Sequence, residues 1–453
     1  MIRLFVIIFV FQVTGCVTLL PRDRLPDVGF SLVETKIIRP GSVLRLADCI
    51  RIAKDQNPQV VAARLMELQA EAVRLQARSS FAPTLKLTGR AARYSDPQRI
   101  TPVTTSGGNS VSSEELAAWD GTLTWNLFAG GRDLWRMRAA EDLLEASRLD
   151  TDGTQRNVTA WVVSAYFLAV TKKAIAAALF ASAHALTAMA QRQQKLLDQK
   201  KSSLLEVTRM RVRAAEVLDQ AKNEQSLAEL ALLRLFHLLG QSVVPVELES
   251  IVATPPPVPN EGSLAWKTIL ERRPDLRAAR LRLQAQQARV LLVEAEYWPT
   301  LSLVGSYGQR VDLSNWPVQD AHLHSAGYFG LDLAWSPFEG GRIHYLAQQE
   351  RATLRVMTQN LRAMELAAVL EVRTFLQQLR SAADRLRTAR ESLELAKTNL
   401  EIERQRMELG QTTFTDYQIV ETAYLEASVR VLQLQAEVQV SWVQFRLATG
   451  DSL

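Results

Sequence analysis

The chain contains itself twice. Asn57-Pro58 recurs as Arg273-Pro274, and Phe81-Ala82-Pro83-Thr84-Leu85 recurs as Tyr297-Trp298-Pro299-Thr300-Leu301. Trp125-Asn126-Leu127-Phe128-Ala129-Gly130-Gly131-Arg132 returns as Trp335-Ser336-Pro337-Phe338-Glu339-Gly340-Gly341-Arg342, and the copies close at Leu239-Gly240 and Thr449-Gly450. A long-period repeat means one supersecondary unit used twice, which restricts the topology before any single residue is read. Pro58 to Pro274 and Pro83 to Pro299 each span 216 positions, whereas Gly131 to Gly341 and Gly240 to Gly450 each span 210. The difference falls between the second proline and the Gly-Gly pair, so that segment varies while its flanks keep register, as a surface loop does. Four prolines within residues 254–260 mark the join between the copies.

Each copy reads as helix, two strands, then a long helical hairpin. Helices are expected over 59–80 and 275–296, each opened by a proline. After each Gly-Gly-Arg comes a proline-free stretch, 133–197 and 343–408, about 100 Å long if it is one helix. Return helices follow over 204–239 and 414–448. The last carries two apolar stripes. Val420, Ala423, Ala427, Val431, Leu434, Val438, Ser441, Phe445 and Ala448 form one; Leu425, Val429, Leu432, Ala436, Val440, Val443 and Leu447 form the other. Steps of 3 and 4 are coiled-coil spacing. Two stripes require neighbours on both sides, as in the wall of a tube, with a thick helical bundle as the alternative. Gly (20) and Pro (16) are scarce for 453 residues, which also favours long helices.

Four short segments alternate instead, near 84–95, 119–128, 300–311 and 328–336. Leu85, Leu87, Gly89 and Ala91, for instance, interleave with Lys86, Thr88 and Arg90. Period-two patterns with one apolar and one polar face suit strands set between lipid and water. Trp125, Trp298 and Trp335, with Phe81, Phe128 and Phe338, sit at one set of strand ends, where an interfacial girdle belongs. Soluble hairpins are the alternative, but four apolar outer faces would then need a cover. Four strands cannot close a barrel, so oligomerisation is expected.

No 18-residue apolar run marks a membrane-spanning helix; the nearest stretch, 158–170, is short, ends at Lys172-Lys173 and reads as a buried face. A net charge of +5 without a basic block gives no support for nucleic-acid binding. The two cysteines differ in context. Residues 1–15 carry Arg3 and an apolar stretch, then Val13-Thr14-Gly15-Cys16, a short secretory signal whose end resembles a bacterial lipobox. Cys16 is the expected lipidated residue, ordinary signal cleavage nearby being the alternative. Cys49 falls in a helical pattern and reads as core.

The duplicated Pro-Thr-Leu strand openings, the Phe-x-Gly-Gly-Arg turns and Gly410-Gln411-Thr412-Thr413-Phe414-Thr415-Asp416 together resemble the TolC-like outer-membrane efflux protein family, in its lipoprotein subtype. The resemblance runs from about Leu44 to Gly450. It implies a mainly α fold with a small membrane β part: a homotrimer with a 12-stranded β-barrel in the outer-membrane lipid and a 12-helix periplasmic tunnel. It further implies a tunnel tip that meets a periplasmic adaptor (membrane fusion protein) and, through it, an inner-membrane pump. On this reading the chain divides into a signal peptide (1–15), a lipid-anchored linker (16–43), a first repeat (44–250), a Pro-rich join (251–262) and a second repeat (263–453). Lys200, Ser203, Glu206, Gly410 and Thr413 become adaptor-contact tip turns. Asp416 matches an aspartate lining the tunnel's narrow end, where three copies would form a carboxylate ring. Such a ring favours cations, and crowding would raise its pKa. Capping of the returning helix is the alternative for Asp416. Lys200 stands where the second copy has Gly410, which suggests a looser first turn or a different adaptor contact.

No Gly-rich phosphate loop and no nucleophile elbow is present, and no cofactor or catalytic residue is expected. His322-Leu323-His324, with Asp320, lies in an expected external loop, where solvated side chains are a better reading than a metal site. Two function classes remain: a passive outer-membrane exit duct, or a non-conducting periplasmic coiled-coil scaffold or adaptor. An adaptor would carry one helical hairpin among small β-domains, so two hairpins and four amphipathic strands favour the duct. Its cargo is not legible.

Overall fold

The computed structural model describes residues 38–99, 112–200, 203–249, 257–312, 324–409 and 411–451. The signal segment, Cys16, Asp320, His322 and Gly410 lie outside them, as does the side chain of His324. The first copy runs β1 (Val43–Leu44), α1 (Leu46–Gln56), α2 (Pro58–Ser79), β2 (Thr84–Arg99), β3 (Ser112–Ala129), α3 (Arg132–Asp198) and α4 (Leu204–Leu239). After β4 (Glu247–Leu248) the second copy repeats the order as α5 (Trp266–Arg272), α6 (Pro274–Glu294), β5 (Thr300–Asp312), β6 (His324–Ala334), α7 (Arg342–Glu408) and α8 (Phe414–Ala448). The long helices α3 and α7 are each 67 residues and unbroken. Gly153 does not interrupt α3.

Proline at the first turn opens both α2 and α6, where the missing N–H has no intrahelical partner to lose. The residue before each proline ties the next helix end in place. Asn57 Nδ2 donates to the Leu238 carbonyl at 2.8 Å, and Arg273 Nη1 to the Ala448 carbonyl at 3.2 Å. These are repeat-equivalent positions, so an amide and a guanidinium satisfy the same orphan carbonyl of a helix end. Gly240 (φ 70) and Gly450 (φ 85) then close α4 and α8 in the left-handed conformation.

The core follows the repeat as well. Around the first copy's knot, Ala53, Val162 and Leu235 are fully buried with Cys49, Tyr166 and Phe236; Ile269, Val372 and Phe445 hold the matching places in the second. Burial pushes the Cys49 thiol up to about 12, helped by Asp48, so it packs as a small apolar group. The Tyr166 hydroxyl lies 3.1 Å from the Leu44 carbonyl and 2.9 Å from that of Glu249, pinning the parallel β1–β4 pair to α3. One window of α3 is apolar enough to cross a bilayer, yet over half of it is buried. Val158, Val162, Val163 and Phe167 there are core residues.

Helix α8 uses both stripes. Val431, Leu434 and Val438 pack on Leu379, Ala382 and Leu386 of α7. Val443, Val440 and Leu447 pack on Val163 and Phe167 of α3. The N-terminal members of the first stripe differ: Ala423 is exposed, while Phe414, Tyr417 and Leu425 are buried instead. Small residues let α6 approach α3 closely, through Ala139 against Ala285 and Ala288, and Ala146 against Ala278. The copies thus join side by side as one wall of helices.

Strands β2-β3-β5-β6 form one antiparallel sheet in that order. They extend past the alternating segments at the loop end; at the other end β2 and β5 begin as expected, β3 runs one residue further to Ala129, and β6 stops two residues short at Ala334. Left-handed Gly130-Gly131 (φ 63 and 84) and Gly340-Gly341 (φ 61 and 84) turn each descending strand into its long helix. The twin turns differ in surroundings. A Cβ on Gly130 would lie 2.4 Å from the Ala295 carbonyl oxygen and 2.7 Å from Trp298 Cβ, whereas one on Gly340 would meet nothing within 4 Å. Gly340→Ala should therefore cost only the left-handed strain, about 1–2 kcal/mol. Gly130→Ala should cost a further 1–3 kcal/mol or so from overlap. Thermal unfolding of the two variants as isolated single chains checks the difference; equal losses would refute it.

Candidate functional site

The two ends of the molecule carry the candidate residues. At the helical end, α3 stops where Lys200 takes φ 59, the conformation that glycine adopts without cost. The Lys200 N–H donates to the Leu197 carbonyl at 2.8 Å, so the lysine ends the helix tightly rather than loosening it. Ser203 caps α4, its Oγ accepting from the Leu205 N–H at 3.2 Å. Glu206 sits in the first turn, where the helix terminus favours a negative charge. It also accepts from Gln193 Nε2 at 3.1 Å, bracing α3 against α4.

In the second hairpin, Thr413 and Asp416 form a reciprocal capping box at the start of α8. The Thr413 hydroxyl donates to Asp416 Oδ2 at 2.6 Å, the Thr413 N–H reaches the same oxygen at 3.4 Å, and the Asp416 N–H reaches Thr413 Oγ1 at 3.3 Å. These contacts hold the Asp416 carboxyl below its ordinary range, the Thr413 hydroxyl contributing most. That direction is opposite to the one that crowding in a ring would give. Capping is therefore present in a single chain, and any ring would be built from carboxylates already held ionised. Thr412 bonds to the buried Glu403, which also takes Arg406 Nη1 at 3.1 Å.

A buried polar cluster lies farther along, and the sequence reading missed it. Glu421 on α8 accepts from Ser182 Oγ of α3 and, at 3.0 Å, from Arg213 Nη2 of α4. Only 4% of the Glu421 side chain and 11% of the Arg213 side chain is exposed. Burial, with Glu421 nearby, raises the Tyr417 phenol. The signal was available: Phe414, Tyr417, Glu421 and Leu425 follow heptad spacing, and a carboxylate at such a position needs a buried partner.

At the sheet end, the register sorts the residues cleanly. Leu85 pairs with Leu123, Leu123 with Gly305 and Gly305 with Phe329, placing Leu85, Leu87, Leu123, Trp125, Leu303 and Leu331 on one face. Lys86, Arg90, Thr122, Ser306 and Asp332 lie on the other. Trp125, Trp298 and Trp335 are all exposed at the helix-proximal end. Trp125 Nε1 donates to the Phe81 carbonyl at 2.9 Å, and Trp335 Nε1 to the Tyr297 carbonyl at 3.1 Å. The duplicated bond leaves the ring faces outward. Six residues up β3, Trp119 meets Tyr307 edge to face at 6.1 Å and donates to Gln309 at 3.3 Å. This upper aromatic pair was missed because the alternation was cut at Trp119.

The sheet has one face that is apolar except toward the loop end, is bordered by aromatics and stands on two long helical hairpins. The sequence model of the outer membrane efflux protein family matches residues 49–241 and 266–451. The chain belongs to that family. Its fold is similar to that of three solved structures. The outer membrane protein VceC from Vibrio cholerae is 18% identical, with a TM-score of 0.73 and coverage of 90% of this chain and 96% of that one. The Campylobacter jejuni CmeC outer membrane channel is 19% identical, with a TM-score of 0.76 and coverage of 89% and 85%. The open state of the Neisseria gonorrhoeae MtrE outer membrane channel is 19% identical, with a TM-score of 0.70 and coverage of 90% and 89%. No match was found among curated protein sequences. Family membership places the chain in the outer membrane and among channels.

The capping box makes a pH prediction. Because the Asp416 pKa is lowered on folding, its contribution is fully present above the unfolded value and is lost as pH falls through the folded one. Hydrogen exchange at the start of α8, corrected for intrinsic rates, should therefore rise on acidification below the usual carboxylate range. Asp416→Asn should flatten that dependence, and Thr413→Ala should loosen the turn by about 1 kcal/mol at neutral pH. An unchanged pH profile in Asp416→Asn would remove the box as its cause.

Proposed function

We propose that this outer membrane efflux protein is the passive exit duct of a tripartite export system. In this reading it conducts substrates delivered by an inner-membrane pump and a periplasmic adaptor to the exterior. One observation carries the reading: four strands present an apolar face, yet both sheet edges, β2 and β6, are open. Unpaired backbone groups cannot face hydrocarbon. Three copies would supply 12 strands, inside the usual range for closed barrels, with the polar face inward. The α3–α4 and α7–α8 hairpins then continue the same wall as a tunnel. Two features support conduction over a scaffold role: the polar lining given by Lys86, Arg90, Asp120, Arg310 and Asp332, and the absence of any cover for the apolar face among the described residues.

The tip turns, from Lys200 to Glu206 and from Gly410 to Thr413, are the proposed adaptor contacts, since they end the hairpins farthest from the sheet. Asp416 is the proposed constriction, one carboxylate per copy. At neutral pH the Thr413 contacts keep it ionised, so three of them would favour cations. Native mass measurement in detergent should give a trimer, and planar bilayers should show conductance. Asp416→Ala should reduce cation preference while the trimer persists. A mutant that only loses helix stability, with selectivity unchanged, would leave Asp416 as a cap and nothing more. A monomer or dimer that still conducts would overturn the trimer.

Cys16 is the proposed lipid anchor, tethering the chain beside its barrel. Labelled palmitate should enter the wild type and not Cys16→Ser. Because the barrel would span the membrane regardless, Cys16→Ser should keep part of the export activity. Equal labelling of both proteins would reject the assignment.

A further inference from the structure

The internal duplication fixes how one copy's sheet meets the next. The two hairpins have the same register under the repeat: Leu85 pairs with Leu123 and Leu301 with Leu333, Lys86 with Thr122 and Ser302 with Asp332. The repeat offsets, 216 for the ascending strands and 210 for the descending ones, therefore hold residue for residue in the sheet. Between the hairpins lies the β3–β5 junction, descending strand against ascending strand. If three chains close a ring, each β6–β2 seam between copies is that same junction one repeat on.

The β3–β5 register then gives the seam. Thr122 faces Ser306, Leu123 faces Gly305 and Thr124 faces Val304. Advancing each by its offset sets Asp332 opposite Arg90 of the partner subunit. Leu333 falls opposite the partner subunit's Gly89, and Ala334 opposite the partner subunit's Thr88. The apolar face alternates large against small here as it does within the chain, and the polar face brings an acid to a base. Within the chain, Thr122 and Ser306 at this position are a neutral pair, their hydroxyls 3.3 Å apart. The β3–β5 junction has its own acid–base pair nearby, Asp120 with Arg310 at 3.9 Å. Arg90 and Asp332 are exposed, and neither has an ionic partner among the described residues. A two-residue slip would put Asp332 opposite Thr88 or Ala92 of the partner subunit and reduce the direct pair to a diagonal one, like Asp120 with Arg310.

Resting on the trimer reading above, we propose that a second copy of this chain seats its β2 edge on β6 in this register. The seam is then set by an ion pair between Asp332 and the partner subunit's Arg90 on the barrel's inner face. Opposite charges directly across a strand pair stabilise it, and a ladder slips most easily where nothing specifies its register.

Cysteine cross-linking in membranes tests the register. The full chain carrying Asp332→Cys and Arg90→Cys should convert under mild oxidation to covalent trimer, several-fold more than Asp332→Cys with Thr88→Cys or with Ala92→Cys. Buried Cys49 stays silent. Charge reversal tests the pair: Asp332→Arg should lower the temperature at which the trimer dissociates in detergent, and adding Arg90→Asp should recover it. A trimer by native mass that cross-links at position 88 or 92, or at none of the three, overturns the register alone. A trimer that the double reversal does not restore overturns the ion pair. A protein that is no trimer by mass overturns the reading beneath both.

Discussion

Backbone hydrogen bonding at two open sheet edges is the constraint on which this structure turns. Every N–H and C=O left bare in hydrocarbon costs several kcal/mol, and β2 and β6 each carry a row of them. No side-chain arrangement in one chain can meet that cost, because both faces of the sheet are already committed, one apolar and one polar. Association is therefore a condition of the fold in lipid. The same constraint explains the length of the strands: at 16 and 18 residues, β2 and β3 exceed what a tilted strand needs to cross a bilayer and carry the pairing on beyond it.

Below the membrane the physics changes, and the Gly-Gly turns mark where. A strand leaves its partner at the sheet end, and its chain must at once satisfy its own backbone as helix. Gly130-Gly131 and Gly340-Gly341 do this with two successive left-handed residues, after which the Gly131 and Gly341 carbonyls accept the first helical bonds, from Trp135 and Tyr345. The Trp125 and Trp335 indoles bond to the carbonyls of Phe81 and Tyr297, where the other chain segment passes the same level. The exposed tryptophans and the strand-to-helix switch are thus one structure. The exposed rings sit where strand gives way to helix, and their N–H groups brace the backbone that passes there.

Much of this was legible because duplication turns weak local signals into strong ones. The bounds of α4 and α8 could be read from Gly240 and Thr449-Gly450, and the strand faces from alternation at Leu85, Leu87, Leu123 and Leu331. What could not be read depended on contacts distant in sequence. Glu421 looks like a solvated helix charge until Arg213 and Ser182 are brought to it from two other helices. Lys200 looks like a lost glycine; its φ of 59 shows that the backbone at this turn is set by the hairpin rather than by the residue. Trp119 was legible in principle, since it continues the apolar alternation of β3, but Gly121 on the apolar face and Ala118 on the polar one blur the pattern. The Asp416 cap was written in Thr413-x-x-Asp416, and only a bonded geometry could show its effect on the carboxyl.

The Arg213–Glu421 pair shows how the helical wall keeps its two copies aligned. Along α8 the apolar stripes could slide by a heptad against α3 and α4 with little loss, since one Leu or Val position resembles the next. Glu421 removes that freedom. Slipped by seven residues it would leave both Arg213 and Ser182, and a buried carboxylate stripped of its partners is far costlier than a misplaced methyl group. An apolar residue at 421 could pack as well or better, so the pair's contribution is the alignment rather than the strength of the joint. Alignment matters most near the tips, where Arg209 Nη1 also reaches Thr415 Oγ1 at 3.3 Å. The far end of each hairpin lies farthest from the sheet, and a small slip there would displace Thr413 and Asp416 together. A specified register in the helical wall thus positions the hairpin tips, as the strand pairing within the sheet positions its two faces.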